Sequence, residues 1–570
     1  MEKRWRIYDE HPESSVTALS EALQVDPLVA KLLLNRGINS FEEARSFFRP
    51  TLDELYSPFL MADMLKAVNR IASAIEKGEK IMVFGDYDVD GTTAVALVYS
   101  YFRKHTANIE YYIPDRYTEG YGVSTQGIDY AKTAGISLII ALDCGIKSVD
   151  KIKYAQTLGV DFIVCDHHLP GDALPPAVAI LNPKVPGCSY PYKELCGCGI
   201  GYKLVAAYDE HLGHPNREWI FNNLDLVAVS IAADIVPITG ENRILVYHGV
   251  QVLNKKERKG FAALLNIAAF QKPLTVTDIV FTIAPRINAA GRLTSGKKAV
   301  ELLISEEPVL AAEQGLAINN TNSERKNLDK SITEHALLLL EKESGFEHKK
   351  STVVFHPEWH KGVVGIVASR LTEKYYRPTI VLTESNGKLT GSARSVKNYD
   401  VHKAIEECSH LLEQFGGHKY AAGLTLDPSN LEQFKNQFES VVSSSILDEM
   451  LVPEIEVEAS ISLRNIDAKL NRIIKQFAPF GPGNMAPVFV AKNVLVKNNP
   501  RIVGVNHVKV DFFDPEIKLT YTAIAFQQAH QFHLFNSKNP LDICFTLEEN
   551  EYQGNISLQL NIKDVKISAV

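Results

Sequence analysis

Between residues 81 and 98 the chain reads "IMVFGDYDVDGTTAVALV", which sets Asp86, Asp88 and Asp90 at alternate positions directly after an apolar run. Two more apolar runs end in the same kind of residue: "SLIIALDCG" reaches Asp143, and "DFIVCDHH" reaches Asp166, His167 and His168. A fourth, "LVAVSIAADIVP", reaches Asp234. Any one of these aspartates is ordinary, because aspartate caps helices and begins turns. Together they are not, since five or six carboxylates in one cleft repel each other and cannot all ionise without cations. Oxygen donors with one or two imidazoles suit Mg²⁺ or Mn²⁺, and two such ions roughly 3.5 to 4 Å apart would activate a water and hold a phosphoryl oxygen for in-line attack. Zinc is a poor fit, because Cys196 and Cys198 in "LCGCGIGY" lack the two-residue gap of a zinc knuckle.

Such a cluster needs a scaffold that gathers strand ends. From Lys66 onward helical and strand-like segments alternate, which predicts an α/β, doubly wound parallel sheet whose ligands bind beyond the carboxyl ends of the strands. Gly91 is expected to turn the backbone before a helix beginning near Thr92. The segment lacks the spaced glycines of a dinucleotide fingerprint. Around this α/β region, 66–240, the pattern predicts a helical extension over 1–65 and helices over 241–345, ending in a long connecting helix. A second α/β unit over 346–448 and a β-barrel or sandwich over 449–570 complete the chain.

Composition narrows the function. The 570 residues are 45% hydrophobic and 22% charged, ordinary for a globular chain of three or four domains. No apolar leader opens the sequence and the longest apolar runs carry aspartates, so neither secretion nor a membrane span is expected. Seven cysteines fit a reducing cytoplasm without a disulfide framework. The net charge of -8 excludes whole-molecule attraction to nucleic acid and leaves phosphate binding to local patches.

The motifs "DYDVDG", "LDCG", "DHH" and "AADIVP", in this order, resemble those of the DHH phosphoesterase superfamily. Within it, "RYTEGYG" (116–122), "PRINAAGRL" (285–293), "WHKGVVGIVASRL" (359–371), "GSARS" (391–395), "GGHKYAAG" (416–423) and "PFGPGN" (479–484) resemble the RecJ exonuclease family. The resemblance implies a DHH catalytic domain, a DHH-associated domain and an OB-fold. It also implies a bimetal site from Asp88, Asp90, Asp143, His167 and Asp234, with Asp86 where many relatives place histidine. His168 would face the scissile phosphate, and Asp166 would orient an imidazole from behind. The chain departs from the family pattern in reading "SIAAD" for "GTVAD" and "IAPR" for "IGPR".

Substrate choice must come from the surroundings. Arg116 and Tyr121 pair a phosphate fork with a base-stacking face. Arg286 and Arg292 flank "INAAG", where small residues permit close approach to a strand of nucleic acid, and Asn288 is a phosphate donor or a helix cap. In the second α/β unit, Ser392 and Arg394 resemble the family's pocket for a terminal 5′-phosphate; the alternative is a strand edge followed by a turn. His360, with Lys361 and Gly362, precedes a helix whose N-terminus suits an anion, and Gly416, Gly417, His418 and Gly423 form a glycine-rich turn. Phe480, His507 and Lys509 are candidates along a groove of the barrel. The basic run "NKKERKG" (254–260) is expected to be a solvated helix end.

The resemblance therefore implies a Mn²⁺- or Mg²⁺-dependent 5′ to 3′ exonuclease that releases 5′-mononucleotides from single-stranded DNA in recombination and repair. Its partners would be a helicase and a single-strand-binding protein, and the chain would act as a cytoplasmic monomer. The alternatives are a nanoRNase or cyclic-dinucleotide phosphodiesterase of the same superfamily and a non-catalytic nucleic-acid scaffold.

Overall fold

The run Lys80–Gly85 is buried along almost its whole length, as a strand covered on both faces must be. In the computed structural model, which describes residues 2–213, 215–514, 517–552 and 554–568, it is the first strand of a five-stranded parallel sheet. The strands are β1 (Lys80–Gly85), β2 (Ile109–Tyr112), β3 (Ile136–Leu142), β4 (Asp161–Cys165) and β5 (Ala179–Leu181). Their order is β2-β1-β3-β4-β5, so the winding reverses between β1 and β3. In open α/β sheets that switch point is where ligands bind. Gly85 lies in register with Leu142, which starts Asp86 and Asp143 side by side across it.

Helix α1 (Val89–Phe102) begins three residues earlier than its sequence pattern suggests, because Asp88 caps it by accepting from the N–H of Gly91 at 3.0 Å. Gly91 is thus inside the first helical turn and does not make the turn before it. Glycine is required by proximity instead: a Cβ there would lie 2.4 Å from the carbonyl oxygen of Asp86. Helices α2 (Gly197–His211) and α3 (Leu224–Asp234) pack on the same core. The fourth apolar run is therefore a helix buried on all sides, which an apolar stretch of that length does not distinguish from a strand. Asp234 is its last residue, and Ile235 ends it at φ 59°.

Contacts divide the chain into two units, residues 8–322 with 458–570, and residues 1–7 with 323–457. In the first, the core of the parallel sheet extends through helices as far as Ile318, including α4 (Ala284–Leu293). The C-terminal segment closes a ring of five strands, in which Phe489–Val496 pairs with both Leu541–Tyr552 and His507–Asp514. Helices Glu13–Leu23, Pro27–Leu34 and Phe41–Phe48, anticipated as an add-on to the catalytic core, share the hydrophobic core of this barrel. Arg36 pairs with Glu458 at 2.6 Å, and the buried Arg243 donates to the main-chain carbonyls of Phe47, Phe477 and Ala478 with its guanidinium 3.8 Å from the Phe47 ring. Burial pushes the Arg243 pKa down to about 10.

The second unit has a five-stranded sheet in the order Gln414–His418, Ala421–Leu426, Lys388–Arg394, Thr379–Ser385, Thr352–Phe355, with only the last two parallel. Helix α5 (Val364–Tyr375) packs on it. The strand Arg4–Ile7 pairs with Glu454–Val457 in this unit, so residues 1–65 are not the wholly helical segment that the pattern suggested. Helix Pro308–Glu341 crosses the division between the units. Among the described residues no helix is long and apolar enough to cross a membrane. Gly91→Ala is expected to cost about 1 to 3 kcal/mol, the usual range for overpacking, read as a lower urea midpoint; an unchanged midpoint would refute the close-approach argument.

Candidate metal centre

Strand β1 delivers Asp86 and Asp88, and the first turn of α1 delivers Asp90. Asp143 follows β3 at φ 58°, a left-handed conformation rarely taken by residues other than glycine, and Asp166, His167 and His168 follow β4. These groups form three overlapping sets: Asp86, Asp88 and Asp143; Asp90, His167 and Asp234; Asp143, His167 and His168. Within each set the candidate ligand atoms all lie within 4.8 Å of one another. His167 Nε2 is 3.2 Å from Asp143 Oδ1, 3.6 Å from Asp234 Oδ2 and 3.7 Å from Asp90 Oδ2.

The electrostatics of this cluster call for cations. Asp143 Oδ1 and both ring nitrogens of His167 are buried without a hydrogen bond, and such groups each cost about 1 to 3 kcal/mol when left unsatisfied. Burial, then Asp88, pushes Asp86 well above the usual carboxylate range, and burial, then Asp90, raises Asp88. Asp143 and Asp234 are raised well above that range by burial and then by Asp90 and Asp88, while burial lowers His167. Carboxylates that strain toward protonation beside an imidazole biased toward its neutral form are the donor set of hard divalent ions, whose binding displaces the carboxyl protons.

His168 stands apart. Its Nδ1 is 2.7 Å from Asp166 Oδ1, whose other oxygen accepts from the N–H of Ile146 at 2.9 Å. Burial alone would raise Asp166, but the hydrogen bond and charge of His168 outweigh it and the carboxyl is lowered. Burial alone would lower His168, but Asp166 outweighs it and the imidazole is raised. The pair is an imidazole biased toward protonation by a carboxylate, with Nε2 3.3 Å from the hydroxyl of Tyr121. Asp166 accordingly aims at a histidine ring rather than into the carboxylate cluster.

Of the substrate candidates in this unit, Arg116 lies over the Tyr87 ring at 5.0 Å, and Tyr121, 55% exposed, meets that ring edge-on at 6.3 Å. Tyr121 is therefore not a core residue. Burial outweighs the opposing charges of Arg116 on Asp86 and of Arg292 on Asp88, and both carboxyls stay raised. Arg286 is turned toward Thr282 O at 2.5 Å and Asn319 Oδ1 at 3.1 Å. Asn288 sits in the middle of α4 and caps nothing. The small residues of "INAAG" allow a close approach, but to the protein itself: a Cβ on Gly291 would lie 2.2 Å from the carbonyl oxygen of Tyr87.

In the second unit, Ser392 and Arg394 lie on the middle strand of the sheet, and Arg394 is its last residue before a turn at 397–398. Arg394 Nη1 donates to Ser392 Oγ at 2.7 Å. "GGH" forms no turn; it is part of the strand Gln414–His418, whose register aligns Gly416 with Gly423 and Ser392, and His418 with Ala421 and Arg394. Two glycines and an alanine thus leave one face of the sheet bare beside Ser392 and Arg394. Over that face, a Cβ on Gly365, in the first turn of α5, would be 3.1 Å from both side chains. Gly417 has φ 146° and faces Ala421 O at 2.4 Å from its Cβ position. His360 Nδ1 accepts from the N–H of Gly362 at 3.1 Å, ahead of a helix end with no side-chain cap. On the barrel, Phe480 packs against the core, while His507 meets Phe526 edge-on at 5.2 Å and Lys509 lies across from Arg501. Arg258, in the basic run, is not merely solvated: it pairs with Asp225 at 2.7 Å.

Family models match three regions: "DHH family, N-terminal domain" over residues 80–231, "DHHA1 domain" over 348–444 and "RecJ OB domain" over 457–564. The single-stranded-DNA-specific exonuclease RecJ of Bacillus subtilis is 35% identical over 570 residues, covering 99% of this chain and 71% of the relative. The Escherichia coli RecJ is 33% identical, covering 95% and 96%. The chain belongs to the RecJ family. A crystal structure of RecJ with Mn²⁺ from Thermus thermophilus superposes with a TM-score of 0.85 at 26% identity, covering all of this chain and 80% of that one. The same protein has also been solved with Mg²⁺.

Three further groups at the centre of this RecJ-family chain escaped the sequence reading. The N–H groups of Gly197 and Cys198 and the hydroxyl of Ser230 all reach Asp90. The run "CGCG" held the signal, because glycines at a helix start mark a close approach: a Cβ on Gly197 would lie 2.6 Å from Asp143 Cβ. Cys196 and Cys198 are buried thiols raised well above their usual value by burial, unlike the thiolates of a metal knuckle. If repulsion among these carboxylates is what cations relieve, Asp143→Asn in EDTA should melt at a higher temperature than the unmodified chain. Saturating Mn²⁺ should stabilise the unmodified chain, by about 2.7 kcal/mol at a free concentration a hundredfold above Kd, and the variant much less. Equal melting of both proteins in EDTA would contradict the repulsion argument.

Proposed function

We infer that the chain is a Mn²⁺- or Mg²⁺-dependent exonuclease that degrades single-stranded DNA in the 5′ to 3′ direction to 5′-mononucleotides. The observation that carries this reading is the convergence of Asp143 and His167, each with orphaned ligand atoms, on carboxylates from β1 and α3 in a RecJ-family chain. We assign Asp86, Asp88, Asp90, Asp143, His167 and Asp234 to two metal positions, with Asp143 shared between them. Bound there, the ions would supply charge and Lewis acidity to an attacking water and to the phosphoryl oxygens. His168, protonated and oriented by Asp166, donates from Nε2 to an oxygen of the scissile phosphate. Arg116 and Arg292 bind adjacent phosphates, and the open face of Tyr121 stacks on a base.

The bare sheet face beside Ser392 and Arg394 suits a terminal 5′-phosphate, with His360, Gly417 and His418 lining it and the uncapped start of α5 above. An enzyme limited to single strands depends on a helicase to open duplex and on a single-strand-binding protein that holds the product strand, and these are the partners we propose. Seven free, buried cysteines agree with a reducing cytoplasm, and we propose that the chain acts there as a monomer.

The test uses two internally labelled single-stranded DNAs, one with a free 5′-phosphate and one blocked at that end. Mononucleotides are expected from the first alone, with Asp143→Ala reducing release to background while strand binding survives. Arg394→Ala should raise KM for the phosphorylated strand about ten- to a hundredfold, the loss of about 1.5 to 3 kcal/mol of charge-assisted hydrogen bonding. Consumption of dinucleotides with long strands spared would move the assignment to the phosphodiesterase alternative.

A further inference from the structure

Asp90 differs from the other carboxylates assigned to the two metal positions in that protein donors hold both of its oxygens. Oδ2 accepts from the N–H of Gly197 at 2.6 Å, and Oδ1 accepts from the N–H of Cys198 and the hydroxyl of Ser230, each at 2.6 Å. The two N–H groups open α2, a helix of 15 residues that directs its positive end at the carboxylate. Ser230 is fully buried, and its one hydroxyl hydrogen is committed to Asp90. A chain of donors thus surrounds Asp90, with Cys196 Sγ 3.0 Å from Ser230 Oγ at its far end. Gly197, packed against Asp143, holds the start of α2 in place.

We propose that Ser230 is a positioning residue for Asp90, whose hydroxyl fixes the carboxylate so that Oδ2 faces His167 and Asp234 and thereby sets the affinity of that one metal position. This rests on the two-metal reading above. A carboxylate with no rotational freedom loses less on coordination, whereas a free one must be ordered by the metal itself. The position built from Asp86, Asp88 and Asp143 lies outside this chain of donors and should not depend on it.

The experiment is Mn²⁺ titration of the full chain without DNA, followed by calorimetry and by electron paramagnetic resonance of the bound ions. The unmodified protein is expected to bind two ions. Ser230→Ala should weaken one of them about tenfold, the lower end of the range for losing a partner behind a ligand, and leave the other unchanged. Ser230→Thr, which keeps the hydroxyl, should restore the weakened position. Should Ser230→Ala not fold, Cys196→Ala reads the same chain from its far end and should weaken the same position by a smaller factor. Two ions held at unmodified affinity by both removals, or equal weakening of both positions, would overturn the proposal. Failure of the unmodified chain to bind two ions would instead overturn the two-metal reading itself.

Discussion

Mutual repulsion among buried carboxylates at the switch point of the parallel sheet governs the rest of this structure. Asp86, Asp88, Asp143 and Asp234 are driven upward by burial and by one another, and among the described residues no arginine or lysine makes a salt bridge to any of them. Such a cluster ionises fully only with cations, and the fold devotes much of its local geometry to keeping it assembled. Gly91 and Gly197 bring helix backbone against Asp86 and Asp143, Gly291 brings α4 against Tyr87, and Asp143 adopts a left-handed backbone. Each feature is unfavourable or unnecessary in a plain α/β core.

Two members of the cluster escape that repulsion by different means. Asp166 is neutralised by His168, forming a pair that leaves one imidazole nitrogen pointing outward. Asp90 is satisfied by neutral donors, namely main-chain N–H groups at a helix start and a serine hydroxyl. The first arrangement biases an imidazole toward protonation; the second holds a carboxylate still. In the second unit one arginine and one serine lie beside glycines of the neighbouring strands on a single sheet face.

The overall charge of -8 is compatible with a nucleic-acid substrate because attraction is arranged locally. The same economy holds for assembly of the first unit. Arg243 joins the N-terminal helices, the catalytic core and the barrel through carbonyl oxygens rather than carboxylates, so a cation is buried without adding a second charge.

The sequence by itself determined the ligand types, the alternation of strand and helix, and the family pattern, because strand-end aspartates and short motifs are local features. It also pointed to the close-approach glycines but misassigned their neighbours: Gly91 reads as a turn and "INAAG" as a seat for DNA, whereas both touch the protein's own backbone. Only the tertiary structure decided that "LVAVSIAAD" is a helix, that "GGH" is a strand, and that the N-terminal helices belong with the barrel, since apolar runs and glycines have the same composition in either role. It alone placed Ser230 and the start of α2 on Asp90. Residues 90, 197 and 230 are far apart in the chain, and a hydrogen bond between them has no periodicity to betray it.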